Sequence, residues 1–140
     1  MDAKKVKDLM ISDVTTLRRN EQLTLADDVM NLGRVRHLPV LDDDGETLIG
    51  IVTQRDLFRG ALAQAIGYGD RARRRLLDTL QVKDVMTTEP ITTTPDTPLV
   101  DAARLLMERK IGCLPVVSNE RLVGILTESD FVALYVRQSQ

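Results

Sequence analysis

The sequence predicts an α/β fold made of two β-α-β-β-α repeats packed about a pseudo-twofold axis. Three observations carry that expectation. The first is that the chain says the same thing twice. Val6-Lys7-Asp8-Leu9-Met10 returns as Val82-Lys83-Asp84-Val85-Met86, an offset of 76 positions, and the same offset carries Leu23-x-x-Ala26 onto Leu99-x-x-Ala102 and Leu38-Pro39-Val40 onto Leu114-Pro115-Val116. Past a two-residue contraction in one loop, Gly50-Ile51-Val52-Thr53-Gln54-Arg55-Asp56 recurs as Gly124-Ile125-Leu126-Thr127-Glu128-Ser129-Asp130 at an offset of 74. A tandem duplication of this extent sets the architecture. The second observation is that helical and strand-like periodicities alternate within each copy. The third is size. Half of this chain is about 60 to 70 residues, which buries too little surface to be comfortable alone, so the two copies are expected to share a core.

Each element has a local reason. A short helical turn, Val6 to Met10 or Val82 to Met86, leads into an extended stretch, Val14 to Leu17 or Ile91 to Thr94. A helix follows, because Leu99, Ala102, Ala103 and Leu106 fall at i, i+3, i+4 and i+7, the apolar stripe of a surface helix. Thr97-Pro98 is expected to supply its cap and first-turn proline. Its counterpart, Leu23 to Met30, is less well capped. Two strands come next, His37 to Leu41 and Leu48 to Val52, around the turn Asp42-Asp43-Asp44-Gly45. Their equivalents are Leu114 to Val117 and Leu122 to Leu126, around Ser118-Asn119-Glu120-Arg121. A last helix begins near Arg55 and again near Ser129. The boundaries read as repeat 1 at 1–59, a partly helical linker at 60–81, and repeat 2 at 82–140. Asp70 to Leu80 is the helical part of that linker. It carries Arg71, Arg73, Arg74 and Arg75, read as a solvated face because no aromatics interleave with them.

Composition narrows the function classes. The chain has 140 residues, a net charge of −2, 43% hydrophobic and 29% charged residues, a soluble globular balance with no general pull toward nucleic acid. No apolar run approaches the roughly 20 residues that span a bilayer, and Met1-Asp2-Ala3-Lys4-Lys5 lacks a signal peptide's apolar stretch. A single cysteine fits a reducing compartment, so the expected location is the cytoplasm. Cys113 and His37, each the sole member of its type, stand at equivalent positions of the two repeats. Residues related by a pseudo-twofold lie in separate sites, which argues against a Cys–His catalytic pair. One His and one Cys do not complete a zinc site, and Asp42 to Asp44 lack calcium-loop spacing. No catalytic residue, metal ligand or required cofactor is expected.

The residues able to carry chemistry are Thr53-x-x-Asp56 and Thr127-x-x-Asp130, where a buried strand passes into a helix. Helix starts present unpaired N–H groups that suit an anion, and a carboxylate there can accept hydrogen bonds from a ribose diol. The same spacing is also that of a capping box, which needs no ligand. Spacing alone leaves both open. Gly50 and Gly124, inside strands, point to close packing or a closely approaching group.

The ordered set Asp-x-Met, Leu-x-x-Ala, Leu-Pro-Val and Gly-h-h-Thr-x-x-Asp (h apolar), present twice, resembles the CBS domain, named for cystathionine β-synthase. The resemblance covers both repeats and implies a Bateman module with two clefts. Such modules are sensors rather than catalysts, and many bind AMP, ADP, ATP or S-adenosylmethionine. By that resemblance Asp56 and Asp130 would grip ribose hydroxyls, and Thr53 and Thr127 would lie beside ribose or phosphate. Thr15 or Ile91 would frame adenine through the backbone, with Met10 and Met86 leading into that stretch. Arg36-His37 or Gly112-Cys113 would face the ligand, and Asp130 would share a cleft with Thr15 and Arg36. Arg36, His37 and Arg55 become Gly112, Cys113 and Ser129 in the second repeat, so phosphate preference is expected to differ between sites.

The expected function is therefore a non-catalytic module that senses an adenosine-containing ligand and signals in trans to a separate protein. The alternative is a structural or dimerisation module with no nucleotide ligand. A homodimer is expected through the last helices, using Leu57, Phe58 and Leu62 in one repeat and Phe131, Leu134 and Tyr135 in the other. Neither a membrane nor a nucleic-acid partner is expected.

Overall fold

In a computed structural model, residues 3–58 and 69–139 are described. The chain divides into two compact units that do not coincide with the sequence repeats. One unit joins residues 1–14 to 91–140, and the other comprises 15–90. Both are mixed α/β.

In the 15–90 unit, β1 (Leu17–Arg18), β2 (His37–Leu41), β3 (Leu48–Thr53) and β4 (Thr87–Thr88) form one sheet in that order. β1 runs parallel to β2, with Leu17 opposite Val40, and the other neighbours are antiparallel. Between β1 and β2 lies α2 (Leu23–Gly33), and α3, described over 54–58, follows β3 directly. Two further helices, α4 (Gly69–Thr79) and α5 (Val82–Val85), precede β4. Leu17, Leu23, Ala26, Met30, Leu38, Val40, Val52, Leu57, Leu77 and Val82 make the core. The segment read as a linker thus supplies α4, whose Leu77 is completely buried.

In the other unit, α1 (Val6–Leu9) is followed across the chain by α6 (Leu99–Arg109), the hairpin β5 (Cys113–Ser118) and β6 (Arg121–Thr127), and α7 (Glu128–Gln138). Two single bridges stand where the first sheet has β1 and β4: Thr93 pairs parallel with Val116, and Ile11 pairs antiparallel with Ile125. Here Val6, Leu99, Ala102, Leu106, Leu114, Val116 and Leu126 form the core.

The chain therefore has two cores rather than one shared core, and each is completed by the other repeat's leading turn. Val6 N–H donates to the Thr97 carbonyl at 2.9 Å, and Leu99 N–H to that of Lys4 at 2.8 Å. In the second unit Val82 N–H donates to the Glu21 carbonyl and Leu23 N–H to that of Leu80, both at 2.8 Å. These bonds satisfy the first amides of α1, α6, α5 and α2, which a helix cannot satisfy internally. Both short leading helices share one cap, in which Asp8 and Asp84 accept the N–H of Lys5 and Gln81.

The exchange explains Gly50 and Gly124. A Cβ on Gly124 would meet Met10 Sδ at 2.7 Å and the Ile11 carbonyl at 3.0 Å. On Gly50 it would meet Met86 Sδ at 2.8 Å and the Thr87 carbonyl at 2.9 Å. The leading segments lie flat on the strands because those two positions have no side chain.

Some local expectations change. The N-cap of α6 is Pro98 itself, not Thr97. Thr97 spends its hydroxyl on Thr94, 2.7 Å away, so the proline precedes the first helical residue. The extended stretches pair only at their ends, at Leu17–Arg18 and at Thr93. Leu57 cannot contribute to a dimer face, because it is 2% exposed in the 15–90 core. Phe131 and Leu134 are half-buried against the other core, Leu62 lies outside the described residues, and Phe58 and Tyr135 are exposed. In α4, Arg71, Arg74 and Arg75 are exposed. Arg74 grips Asp28 of α2 with both terminal nitrogens, at 3.1 and 3.2 Å, and this pairing draws the Asp28 carboxyl below its ordinary range.

Candidate functional site

Within the 15–90 unit, one end of the sheet gathers most of the candidate residues. His37 opens β2 directly opposite Thr53, the last residue of β3. Gln54 N–H, at the start of α3, donates to the Arg36 carbonyl at 2.8 Å. Thr15 enters β1 two residues ahead of the Leu17–Val40 pair, from the same end because β1 and β2 are parallel. Thr15, Arg36, His37, Thr53, Arg55 and Asp56 thus belong to one unit and one end of one sheet, so Thr15 and Arg36, expected beside Asp130, share their unit with Asp56 instead. Thr15, Arg36 and Arg55 are exposed, whereas His37, Thr53 and Asp56 are half-buried.

The other unit repeats the arrangement. Cys113 opens β5 opposite Thr127, the last residue of β6, and Glu128 N–H donates to the Gly112 carbonyl at 3.2 Å. Ile91 precedes the Thr93–Val116 bridge and packs half-buried against the core. Ile91, Gly112, Cys113, Thr127, Ser129 and Asp130 therefore share the second sheet end. Met10 lies in this unit and Met86 in the other, so each leading methionine sits with the opposite repeat's aspartate. Both pack over glycine, and contact with the strand accounts for them without a ligand.

Each aspartate caps its helix with one oxygen. Asp56 Oδ2 accepts the Thr53 N–H at 2.8 Å, and Asp56 N–H donates to Thr53 Oγ1 at 3.2 Å, a reciprocal box. Asp130 Oδ2 takes both the Thr127 N–H at 2.8 Å and the Thr127 hydroxyl at 3.2 Å. No described residue hydrogen-bonds Oδ1 of either carboxylate. The cap and a ligand therefore do not compete for the same atom. A carboxylate has about four acceptor positions, and capping uses those of one oxygen. The remaining oxygen, fixed in direction by the cap, is suited to hydroxyl donors.

Cys113 is buried beside Leu114 at the head of β5, and burial pushes its thiol up to about 12. At neutral pH it is a small hydrophobe and not a nucleophile. Among the described residues there is no group of three or more His, Cys, Asp or Glu placed to hold a metal. No described helix is long and apolar enough to cross a membrane.

Sequence reasoning found both aspartates but not the role of the leading turns. The signal was available in the two strand glycines, each of which has to be matched by an approaching backbone.

Comparison with known proteins agrees with the geometry. The CBS domain family matches this chain twice, at residues 6–63 and 82–137. The chain belongs to the CBS domain family, as a tandem pair. A CBS domain-containing protein of Dictyostelium discoideum is 32% identical over 133 residues, covering 94% of this chain and 91% of that one. Among solved structures, CBSX2 in complex with AMP superposes with a TM-score of 0.80 at 30% identity, over 99% of this chain and all of that chain. The CBS domain pair of protein MJ0100, in complex with methylthioadenosine and S-adenosyl-L-methionine, superposes with a TM-score of 0.78 at 28% identity, covering 96% and 97%. CBS pairs of this fold thus bind adenosine compounds.

Proposed function

We propose that this chain is a non-catalytic regulatory module that binds an adenosine-containing ligand, AMP, ADP, ATP or S-adenosylmethionine, and passes its occupancy to a partner protein in the cytoplasm. The observation that carries this is the uncommitted Oδ1 of Asp56 and of Asp130, held at a helix start by a cap on the other oxygen. A ribose offers two vicinal hydroxyls to such an oxygen. Thr53 and Thr127 stand beside it, the stretches at Thr15 and Ile91 offer backbone to the adenine edge, and Arg36-His37 and Gly112-Cys113 border the same sheet ends. Ligands bound by two proteins of the same fold, AMP in one and S-adenosylmethionine with methylthioadenosine in the other, support the choice of adenosine. The module acts as a homodimer, for which the last helices offer exposed Phe58, Val132, Tyr135 and Val136 as apolar contacts.

A structural module without ligand is favoured by one observation, that capping alone employs both aspartates. The two functions separate experimentally. Any native-state ligand raises the unfolding temperature, so AMP, ADP, ATP and S-adenosylmethionine are screened by thermal shift and the best is titrated calorimetrically. Asp56→Asn and Asp130→Asn keep a capping oxygen but lose the charged acceptor, a loss of about 1.5 to 3 kcal/mol per hydrogen bond, or tenfold or more in affinity. The 2′-deoxy ligand should lose affinity in the wild type as well. A 2′-deoxy ligand that binds as tightly as the ribo form defeats the ribose assignment, and no shift with any of the four leaves the structural module. Sedimentation showing only monomer at tens of micromolar defeats the dimer.

A further inference from the structure

We infer that the two sheet ends divide adenosine ligands by charge: the Asp56 end takes phosphorylated adenosine, and the Asp130 end takes phosphate-free adenosine, neutral or cationic. This rests on the adenosine reading above and adds the ligand class of each site.

The two ends have the same backbone. In both, the amide after the threonine donates to the carbonyl of the residue just before the threonine's strand partner, Gln54 to Arg36 and Glu128 to Gly112. Both aspartates are fixed by the preceding threonine's amide at 2.8 Å. What differs is the side-chain charge on this common frame. The Asp56 end carries two guanidinium groups, Arg36 and Arg55, against one carboxylate. Both arginines are exposed, and neither makes an ion pair with a described residue. The Asp130 end has glycine and serine at those places and replaces Gln54 with Glu128, so its helix opens with two carboxylates and no cation.

The consequence follows from how each ligand is charged. A nucleoside monophosphate brings about two negative charges at neutral pH. Arginine receives it through paired, charge-assisted hydrogen bonds. At the Asp130 end the same phosphate meets Glu128 as well as Asp130. Repulsion from the pair opposes the favourable field of the helix start, and like charge in a recognition site is a specificity device against the wrong ligand. Adenosine has no charge to repel, and a sulfonium derivative is attracted. The ribose contact is common to both ends, so it supplies affinity without discrimination.

The test is calorimetric titration of adenosine and AMP into Asp130→Asn, which leaves the Asp56 end, and into Asp56→Asn, which leaves the Asp130 end. AMP should bind about tenfold or more tightly than adenosine in the first variant, one decade being about 1.4 kcal/mol. In the second, adenosine should equal or exceed AMP. The AMP preference should shrink as salt rises, because exposed charges are screened over about 10 Å at 0.1 M. Arg36→Ala with Arg55→Ala should abolish the preference at the first end, and Glu128→Gln should raise AMP affinity at the second. These three positions are exposed, so these variants test the point even if either aspartate substitution unfolds the chain. Equal AMP-to-adenosine ratios at the two ends, or ratios unmoved by the arginine and glutamate substitutions, overturn the division while leaving adenosine binding intact. Failure of the wild type to bind either compound overturns both.

Discussion

Placing alanine at Gly50 or Gly124 tests the exchange of leading turns more directly than any other substitution. The backbone at neither position is left-handed, so the new methyl costs nothing in torsion. By restricting the unfolded chain it would even stabilise by about 0.4 to 1 kcal/mol. The opposing effect is steric. At Gly50 the methyl falls 2.8 Å from Met86 Sδ and 2.9 Å from the Thr87 carbonyl, and at Gly124 it falls 2.7 Å from Met10 Sδ and 3.0 Å from the Ile11 carbonyl. The thioether can turn aside. The carbonyls belong to backbone that is hydrogen-bonded to the same strand, so relief means lifting the leading segment. Overpacking of this kind costs about 1 to 3 kcal/mol, which leaves a net loss of about 1 to 2 kcal/mol after the entropic gain. With urea slopes of about 1 to 3 kcal/mol/M, the midpoint should fall by roughly 0.3 to 2 M. Gly50→Ala should be the worse, since β4 is held by two residue pairs, Gly50–Thr88 and Ile51–Thr87, against the single Ile11–Ile125 bridge. A double-mutant cycle with Met86→Ala or Met10→Ala should recover part of the loss, because it removes the sulfur but leaves the carbonyl. Equilibrium urea unfolding by circular dichroism measures all six variants. Alanine variants as stable as the wild type, or more so, would refute the close approach and with it the packing reason for glycine.

Val6→Ala and Val82→Ala should each cost about 1 to 3 kcal/mol, because both side chains are wholly buried and leave a cavity. Hydrogen exchange should locate the damage across the repeats, with Leu114 losing protection in the first variant and Leu38 in the second. Cys113 should resist a thiol reagent in native protein at pH 8 and react on unfolding. Its thiol is raised in the folded state from an ordinary 9.0 to about 12, so the folded form holds the proton longer. Stability from this group is unchanged below pH 9 and falls as pH climbs from 9 toward 12, which Cys113→Ala should abolish in an alkaline unfolding series. Arg74→Ala should leave the urea midpoint close to that of the wild type, since its pair with Asp28 is surface-exposed and salt-screened.

The sequence by itself determined the repeated β-α-β-β-α order, the strands at the two Leu-Pro-Val segments and the positions of Asp56 and Asp130. These are local facts. Alternation, the 3.6-residue stripe of Leu99, Ala102 and Leu106, and the Thr-x-x-Asp spacing are all written within a few residues of the element they specify. The sequence also carried the capping box and the ribose acceptor as rivals, because spacing records which groups are near and not how many acceptor positions each uses. That one carboxylate oxygen caps while the other has no hydrogen bond from a described residue is a matter of tertiary structure. It alone decided that Leu57 belongs to a core and not to a dimer face, and that α4 joins the 15–90 unit through Leu77. Above all it decided that repeat and unit differ: Val6 completes a core with Leu99 and Leu114, and Val82 one with Leu23 and Leu38. Two leading turns that differ only at Leu9 and Val85, facing two equivalent grooves, satisfy the same local pattern in either pairing. The choice between pairings rests on where the chain can reach and on which backbone meets which glycine, and a linear pattern does not hold those distances.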